Sequence, residues 1–243
     1  MNAPAPLPEW QQPNHPRARI TPNNLLRMES GLDAAETGSG FDPASQMLYD
    51  SRDMGAYAAN RGLKIRPATR WEYTSIDTLL LDRMMSQTIG GGPAGFRQFA
   101  ERELFEPIGL KHVTLEFDGM GAFVGSSHVY APAREFARLG WLFLNDGVAP
   151  DSRRILPAGW AAYSRQCTLG SNYGAGFWTN DGPNAGAAWR VAHGFPKDGY
   201  FASGDLGQRI YIIPSQHLGY TTGHNFGIEA DVKLIAATIV ALR

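Results

Sequence analysis

Apolar residues in the first two thirds of the chain recur every three to four positions, the spacing of helices that bury one face. The clearest stretch runs from 132 to 145, where Phe136, Leu139 and Leu142 share one face and Gly147 follows the end. Proline, glycine and polar clusters separate the periodic stretches. The helices predicted from this spacing cover 22–29, 43–60, 75–88, 94–106 and 132–145, and Leu156–Trp160 opens another short helix.

The last third of the chain has a different pattern. Short runs rich in aromatic and β-branched residues are joined by turn residues, which predicts an antiparallel meander. An apolar helix over 228–242 closes the chain. Together these elements predict an α/β chain of the α+β type, with an antiparallel sheet flanked by helices and a mostly helical lobe. The predicted strands are Tyr173–Thr179, Gly199–Ser203, Gln208–Ile213 and Leu218–Thr222.

The pattern also predicts the boundaries of the domain. Residues 1–19 are rich in proline and polar groups and are expected to be irregular and to contribute no core. Thr21 is a good N-cap and Pro22 suits the first helical position, so the domain starts near residue 20. We predict a helical lobe over about 20–165 and a C-terminal sheet and helix over about 166–243. Residues 30–42 carry three glycines and are predicted to form a loop.

Composition narrows the class of protein and its partners. The 243 residues suffice for one sizeable domain or two small ones, and the apolar and charged fractions are those of a soluble globular protein. A net charge of −1 argues against nucleic acid or an anionic membrane as partner. No run of about 18 apolar residues is present, and the first residues do not resemble an export signal. A cytoplasmic protein is therefore the default expectation.

Cysteine and histidine usage predicts neither a metal site nor another cofactor. Cys167 is the only cysteine, which excludes an intramolecular disulfide, and we expect it to be a small buried residue. The six histidines include no His-Glu-x-x-His pattern. Gly90, Gly92 and Gly95 match a dinucleotide-binding spacing, but they join two predicted helices, and this stretch is predicted to be a linker.

Three segments, in their order along the chain, resemble a known family. They are Ile20–Leu32, which includes Leu-Leu-Arg-Met-Glu-Ser-Gly-Leu, then Trp71–Asp77, which reads Trp-Glu-Tyr-Thr-Ser-Ile-Asp, and Phe201–Gln208, which reads Phe-Ala-Ser-Gly-Asp-Leu-Gly-Gln. In this order they are similar to the class C β-lactamase-related serine hydrolases: β-lactamases, DD-peptidases, esterases and nylon-oligomer hydrolases. The resemblance implies the β-lactamase/transpeptidase-like fold and a small ester or amide as substrate.

The resemblance also implies roles for individual residues. Tyr73 would be the general base and acid, for which a phenol needs a cationic neighbour at neutral pH. Ser75 would bind the substrate or tune Tyr73, and it could equally be the N-cap of the helix over 76–88. Asp77 would be structural, at the start of that helix. A backbone N–H within Ala202, Ser203, Gly204 and Asp205 would stabilise an oxyanion. Asp205 would contact the ligand or only cap a turn, and His224 would belong to the site or be a surface histidine on a loop. Trp178 lies on the strand that would line the cleft, and its side chain would contact the ligand or pack in the core.

The family's nucleophile is missing from the sequence. That nucleophile is the serine of a Ser-x-x-Lys motif, and the residues three before the four lysines are Arg61, Ile108, Gly194 and Ala230. The lysine of the family's third motif is absent as well, which favours ester or amide substrates over β-lactams. We therefore expect an N-terminally truncated, catalytically incomplete chain with an open sheet edge and marginal stability. The alternative is a non-catalytic binding module or fragment of this fold; the sequence leaves the oligomeric state open.

Overall fold

The computed structural model describes residues 1–223 and 227–242, and the chain divides into two compact units. The first comprises Met1–Glu101 and Thr114–Tyr130, and the second comprises Arg102–Val113 and Ala131–Arg243. Chain segments therefore alternate between the units. The predicted division into a helical lobe over about 20–165 and a C-terminal sheet and helix over about 166–243 stays a prediction.

The first unit is mostly helical. Thr21 is the N-cap of its first helix, as predicted, and forms a capping box with Asn24 in which each side chain accepts a hydrogen bond from the backbone N–H of the other residue. A short antiparallel pair of strands completes the unit. Its elements are α1 (Pro22–Leu26), α2 (Pro43–Asp50), α3 (Met54–Ala59), α4 (Ser75–Ile89), α5 (Gly92–Ala100), β1 (Thr114–Leu115) and β2 (Val129–Tyr130).

Local side-chain chemistry breaks the predicted helix over 43–60 into α2 and α3. Ser51 is extended, and the side chain of Asp53 accepts a hydrogen bond from the Ala56 N–H, which starts a new helix. The helix predicted over 22–29 ends three residues early, at Leu26. Gly90 and Gly91 adopt positive φ between α4 and α5, as expected of the predicted linker.

The N-terminal segment contributes to the core, so that part of the sequence prediction is wrong. Ala5, Leu7 and Trp10 are at most 1% exposed and belong to the main apolar cluster of the first unit. The Trp10 indole Nε1–H donates to the Ala59 carbonyl at 2.9 Å. Prolines make this segment irregular without preventing its apolar side chains from being buried.

We expect Trp10→Phe to lower the free energy of unfolding by about 2–3 kcal/mol, because a void forms and a buried hydrogen bond is lost, which leaves the Arg17 guanidinium as donor to the Ala59 carbonyl. Urea unfolding followed by circular dichroism measures the loss. Trp141→Phe, at a side chain 37% exposed, is the control and should change stability by less than about 1 kcal/mol. Equal losses in the two variants would contradict the role of Trp10.

The second unit contains a four-stranded antiparallel sheet in the order β3-β4-β5-β6, the predicted meander. An apolar cluster joins the sheet to the last helix through Phe201, Tyr211, Val232 and Ile235. The elements are α6 (Glu106–Ile108), α7 (Ala133–Leu144), α8 (Trp160–Arg165), β3 (Trp178–Thr179), α9 (Ala185–Ala192), β4 (Tyr200–Ser203), β5 (Gln208–Ile213), β6 (Leu218–Gly223) and α10 (Ile228–Ala241).

Two elements of this unit differ from the prediction. The strand predicted over Tyr173–Thr179 is reduced to β3, because the chain folds back and Tyr173 forms a bridge with Trp178. Helix α9 was missed because it follows a stretch of glycine, proline and asparagine; Asn184 caps it by accepting from the Gly186 N–H. The sheet flanked by helices is confirmed. None of the described helices is long and apolar enough to cross a membrane.

Candidate functional site

Tyr73 and Ser75 lie at the start of α4. Thr74 is the N-cap, since its hydroxyl accepts a hydrogen bond from the Ile76 N–H at 3.2 Å. Ser75 is therefore the first helical residue, and the alternative in which Ser75 is the N-cap is wrong. The side chain of Ser75 is thereby left for other contacts.

A carboxylate from the glycine-rich loop holds Ser75. The Ser75 N–H donates to Glu36 Oε2 at 2.6 Å, and the Ser75 hydroxyl donates to Glu36 Oε1 at 3.2 Å. Ser75 is buried, whereas Glu36 is exposed. Glu36 could not be identified from the sequence, because it lies 39 positions before Ser75 in a loop without periodicity.

The environment of Tyr73 favours the neutral phenol. Burial and then the negative charge of Glu36 raise the pKa of Tyr73 to about 12. This is the opposite of the shift that a general base needs at neutral pH. Within the described residues, therefore, Tyr73 holds its proton, and a nearby positive charge would be needed to lower its pKa.

Two contacts with the residues that follow α1 anchor the Tyr73 segment. The Glu72 N–H donates to the Met28 carbonyl at 2.9 Å, and the Ser30 hydroxyl donates to Asp77 Oδ1 at 2.7 Å. Asp77 is fully buried, and burial, assisted by the charge of Glu72, raises its pKa to about 8. The expected structural role of Asp77 is consistent with these contacts. Residues 28–31 and 72–77 thus hold each other in place.

Beside this anchor is a small cavity of about 10 Å³, which is room for about one water molecule. Polar and apolar groups line it, and Arg70 and Glu72 form an ion pair at its rim. The cavity is too small for an ester or amide substrate. Its lining residues are Met28, Ser30, Gly31, Leu32, Ala34, Ile65, Arg70, Glu72 and Thr74.

The register of the second unit's sheet distinguishes among the backbone donors predicted in Ala202–Asp205. The Gly204 N–H donates to the Gln208 carbonyl at 2.7 Å, and Ala202 pairs with Ile210. Successive N–H groups of a strand point to opposite sides, so the Ser203 N–H points away from β5. Strand β3 pairs only with Tyr200 and Phe201. No described strand therefore faces the Ser203 N–H.

Three other residues were predicted from the sequence to lie near the substrate. Trp178 is half-buried in β3, packs against the cluster below the sheet, and meets Tyr173 edge to face at 5.2 Å. Asp205 is exposed in the turn that follows β4. His224 lies outside the described residues. Tyr73 and Ser75 belong to the first unit, whereas Trp178 and Ala202–Asp205 belong to the second.

Sequence reasoning also missed a second buried acid in α4. Asp82 accepts a hydrogen bond from the Gly125 N–H at 2.8 Å, and burial raises the pKa of Asp82 to about 8. Its position directly after three leucines of a predicted helix was the one available signal. Among the described residues, no cluster of three or more histidine, cysteine or acidic side chains could hold a metal ion.

Several solved structures have a fold similar to that of this chain. In fold, the chain resembles a protein described as a 6-aminohexanoate-dimer hydrolase from Bacillus anthracis (16% identity, TM-score 0.69), covering 94% of this chain and 62% of that one. It also resembles a class C β-lactamase from Rhodobacter sphaeroides, with 16% identity and a TM-score of 0.62, over 99% of this chain and 78% of that one. A family VIII carboxylesterase is similar as well, with 15% identity and a TM-score of 0.62, over 96% of this chain and 74% of that one. A search of curated proteins gave no significant match.

At these identities, the likeness to solved structures shows the fold alone. The chain spans about 62% of the length of the B. anthracis protein. The family profile for Beta-lactamase, in contrast, matches the sequence itself, over residues 2–238. That match covers nearly the whole chain and includes the three segments singled out above, and the chain therefore belongs to the Beta-lactamase family.

Proposed function

We propose that this chain carries the acid–base and oxyanion parts of a serine hydrolase that transfers an acyl group from an ester or amide and then releases it to water. The observation that carries the proposal is the buried Ser75 at the head of α4, two residues after Tyr73. Membership of the Beta-lactamase family, whose fold serves ester and amide hydrolysis, supports the same reaction class.

Each residue has a proposed role. Tyr73 transfers protons during acylation and deacylation, and Ser75 is its hydrogen-bonding partner. The Ser203 N–H supports the oxyanion, because the register leaves it facing away from β5. Asp205, Trp178 and His224 contact the substrate.

The proposal requires a nucleophile and a cation from outside these 243 residues, since the sequence holds no Ser-x-x-Lys motif. The high pKa of Tyr73 leads to the same requirement for a cation, because a positive charge nearby would bring that pKa down. The same two observations favour the second candidate, a binding module of this family without catalysis.

A fluorescent phosphonate, which labels activated serines, separates these candidates. We expect no labelling and no ester turnover by the chain alone, and both in a form extended upstream with a Ser-x-x-Lys segment. Labelling of the chain alone would show that another serine is the nucleophile. Ligand binding without labelling in both forms would favour the binding module.

A further inference from the structure

Arg190, on α9, is a buried cation without an acidic partner. It is 5% exposed, and burial lowers its pKa because the charged form loses its hydration. Its hydrogen bonds go to neutral oxygens: Nε donates to Asn180 Oδ1 at 2.7 Å, and Nη2 donates to the Thr179 carbonyl at 3.0 Å. No aspartate or glutamate among the described residues forms an ion pair with it. Arg209 of the same unit, in contrast, pairs with Asp231 at 2.7 Å.

Part of the Arg190 guanidinium remains available to a ligand. An arginine has five N–H hydrogens, and the two bonds above use two of them. Nη1 forms no hydrogen bond within the part of the chain that the structure describes. The guanidinium lies over Phe201, with Cζ 5.2 Å from the ring centroid, and this contact leaves the in-plane hydrogens unused. The end of the side chain that carries Nη1 can therefore still bind an acceptor.

This free end lies at the first turn of α9. Gly186 is four residues before Arg190 and so on the same face of the helix. A Cβ atom at Gly186 would lie 3.6 Å from Arg190 Nη1 and 3.3 Å from Asn172 Nδ2. The Asn172 side chain makes no hydrogen bond to residues 1–223 or 227–242, so both nitrogens are available as donors. Because residue 186 has no side chain, a small ligand can approach the two nitrogens.

The start of α9 adds positive potential at this point. The N–H groups of a first helical turn favour an anion, and α9 has no acidic residue in its first turn. Asn184 Oδ1, which would lie 3.1 Å from the same Cβ position, already accepts a hydrogen bond from the Gly186 N–H at 2.8 Å. A buried guanidinium, a free amide donor and a helix start therefore meet without a described ion-pair partner.

We propose that Arg190, Asn172 and the first turn of α9 form a binding site for a small oxyanion, that is, a carboxylate or phosphate group. The remaining guanidinium hydrogens form charge-assisted hydrogen bonds with one oxygen of the anion. Asn172 Nδ2 donates to a second oxygen. The anion neutralises a charge that the fold has buried, which is why binding also stabilises the folded chain.

The site goes beyond the proposed function, because it lies away from the proposed oxyanion donor. Arg190 binds the carbonyl of Thr179, and Thr179 pairs with Tyr200 at the start of β4. Ser203 is three residues further on, about 10 Å along the strand. An anion at Arg190 is therefore a separate ligand or a distant group of a ligand, and it is not the reacting acyl group.

Titration with acetate and with phosphate tests the site, each against sodium chloride at the same ionic strength. In the ¹⁵N-labelled chain, NMR follows the Nε–H of Arg190 and the side-chain amide of Asn172. We expect both signals to shift and saturate in the millimolar range with at least one of the two oxyanions, and not with chloride. Tighter binding of phosphate indicates a phosphorylated ligand, and tighter binding of acetate indicates a carboxylate. No saturable shift with either oxyanion, or the same shift with chloride, would overturn the proposal.

Gly186→Ala closes the approach with a single methyl group. It should lower the affinity for the oxyanion about tenfold or more, the equivalent of one charge-assisted hydrogen bond. The variant should fold, because Gly186 has no positive φ and alanine favours a helix more than glycine does. Ala188→Ser, at an exposed position of the same helix, should bind as the unaltered chain does. Undiminished binding by Gly186→Ala contradicts the proposed site.

Asn172→Asp supplies the missing carboxylate from within the chain. The new side chain should pair with Arg190, raise the midpoint of thermal unfolding by a few degrees and abolish oxyanion binding. An arginine already satisfied by neutral partners would gain nothing, so a lower midpoint or retained binding would speak against the site. Asn172→Ala should weaken binding and leave the midpoint nearly unchanged. None of these readouts requires hydrolysis, so failure of the site and failure of the proposed function are distinguishable.

Discussion

Asp77→Asn should make the chain more stable at alkaline pH and leave its stability nearly unchanged in acid. The fold raises the pKa of Asp77 from 3.8 to about 8, chiefly through burial, so the native state favours the protonated carboxyl. The contribution of the Asp77 carboxyl to the free energy of unfolding is fully present below the pKa of Asp77 in the unfolded chain. This contribution is lost as pH rises toward about 8. For one group, the free energy of unfolding falls by at most about 1.4 kcal/mol per pH unit.

Asparagine imitates the protonated acid at this site. Its oxygen can still accept from the Ser30 hydroxyl, and the amide nitrogen replaces the buried Oδ2, which lacks a hydrogen bond. Urea unfolding between about pH 4 and 9 measures the difference in free energy of unfolding between the variant and the unaltered chain, which should grow to several kcal/mol as pH rises. Asp82 causes a similar loss of stability with rising pH in the variant and in the unaltered chain, so it does not affect the difference between them. Asp50→Asn, at an exposed position, should leave the pH profile unchanged. An Asp77→Asn variant that is less stable at every pH would contradict this account.

The second large effect concerns turnover. In the form extended with a Ser-x-x-Lys segment, Tyr73→Phe should lower kcat by about 10²–10⁴-fold, the usual contribution of a general acid–base group. Phenylalanine keeps the ring and its packing and removes the group that transfers the proton. Initial rates with a chromogenic short-chain ester measure the loss.

Two comparisons make this result specific to Tyr73. Tyr49→Phe, at a side chain 76% exposed, should keep full activity. Phosphonate labelling of Tyr73→Phe should slow along with turnover, because activation of the serine is the step that is lost. A Tyr73→Phe enzyme that retains full turnover would remove Tyr73 from the mechanism.

Regular periodicity made most of the fold predictable. Helices α4, α7 and α10 and strands β4 to β6 lie within a few residues of their predicted positions, because their apolar spacing continues over many residues. The breaks were harder to predict. Asp53 splits one predicted helix by capping a new one, and Trp10 is buried from a segment whose prolines suggest exposure. Both depend on single contacts that sequence periodicity does not report.

The candidate site was less accessible to sequence reasoning. Tyr73 and Ser75 were identified because they belong to a motif that is continuous in the chain. Glu36 was not, since its contact with Ser75 is formed only when a distant loop folds against α4. The direction of the Tyr73 pKa shift depends on this same contact and on burial. The choice of Ser203 among four candidate donors needed the strand register, which composition alone does not determine.

The divided path of the chain through the first unit has a consequence for its synthesis. The Gly125 N–H is a partner of Asp82, and the segment Thr114–Tyr130 that carries Gly125 follows a stretch belonging to the second unit. When residue 101 leaves the ribosome, the first unit therefore still lacks this partner. The unit can complete its folding only after residue 130 has emerged, and until then a nascent chain presents an unfinished surface to chaperones.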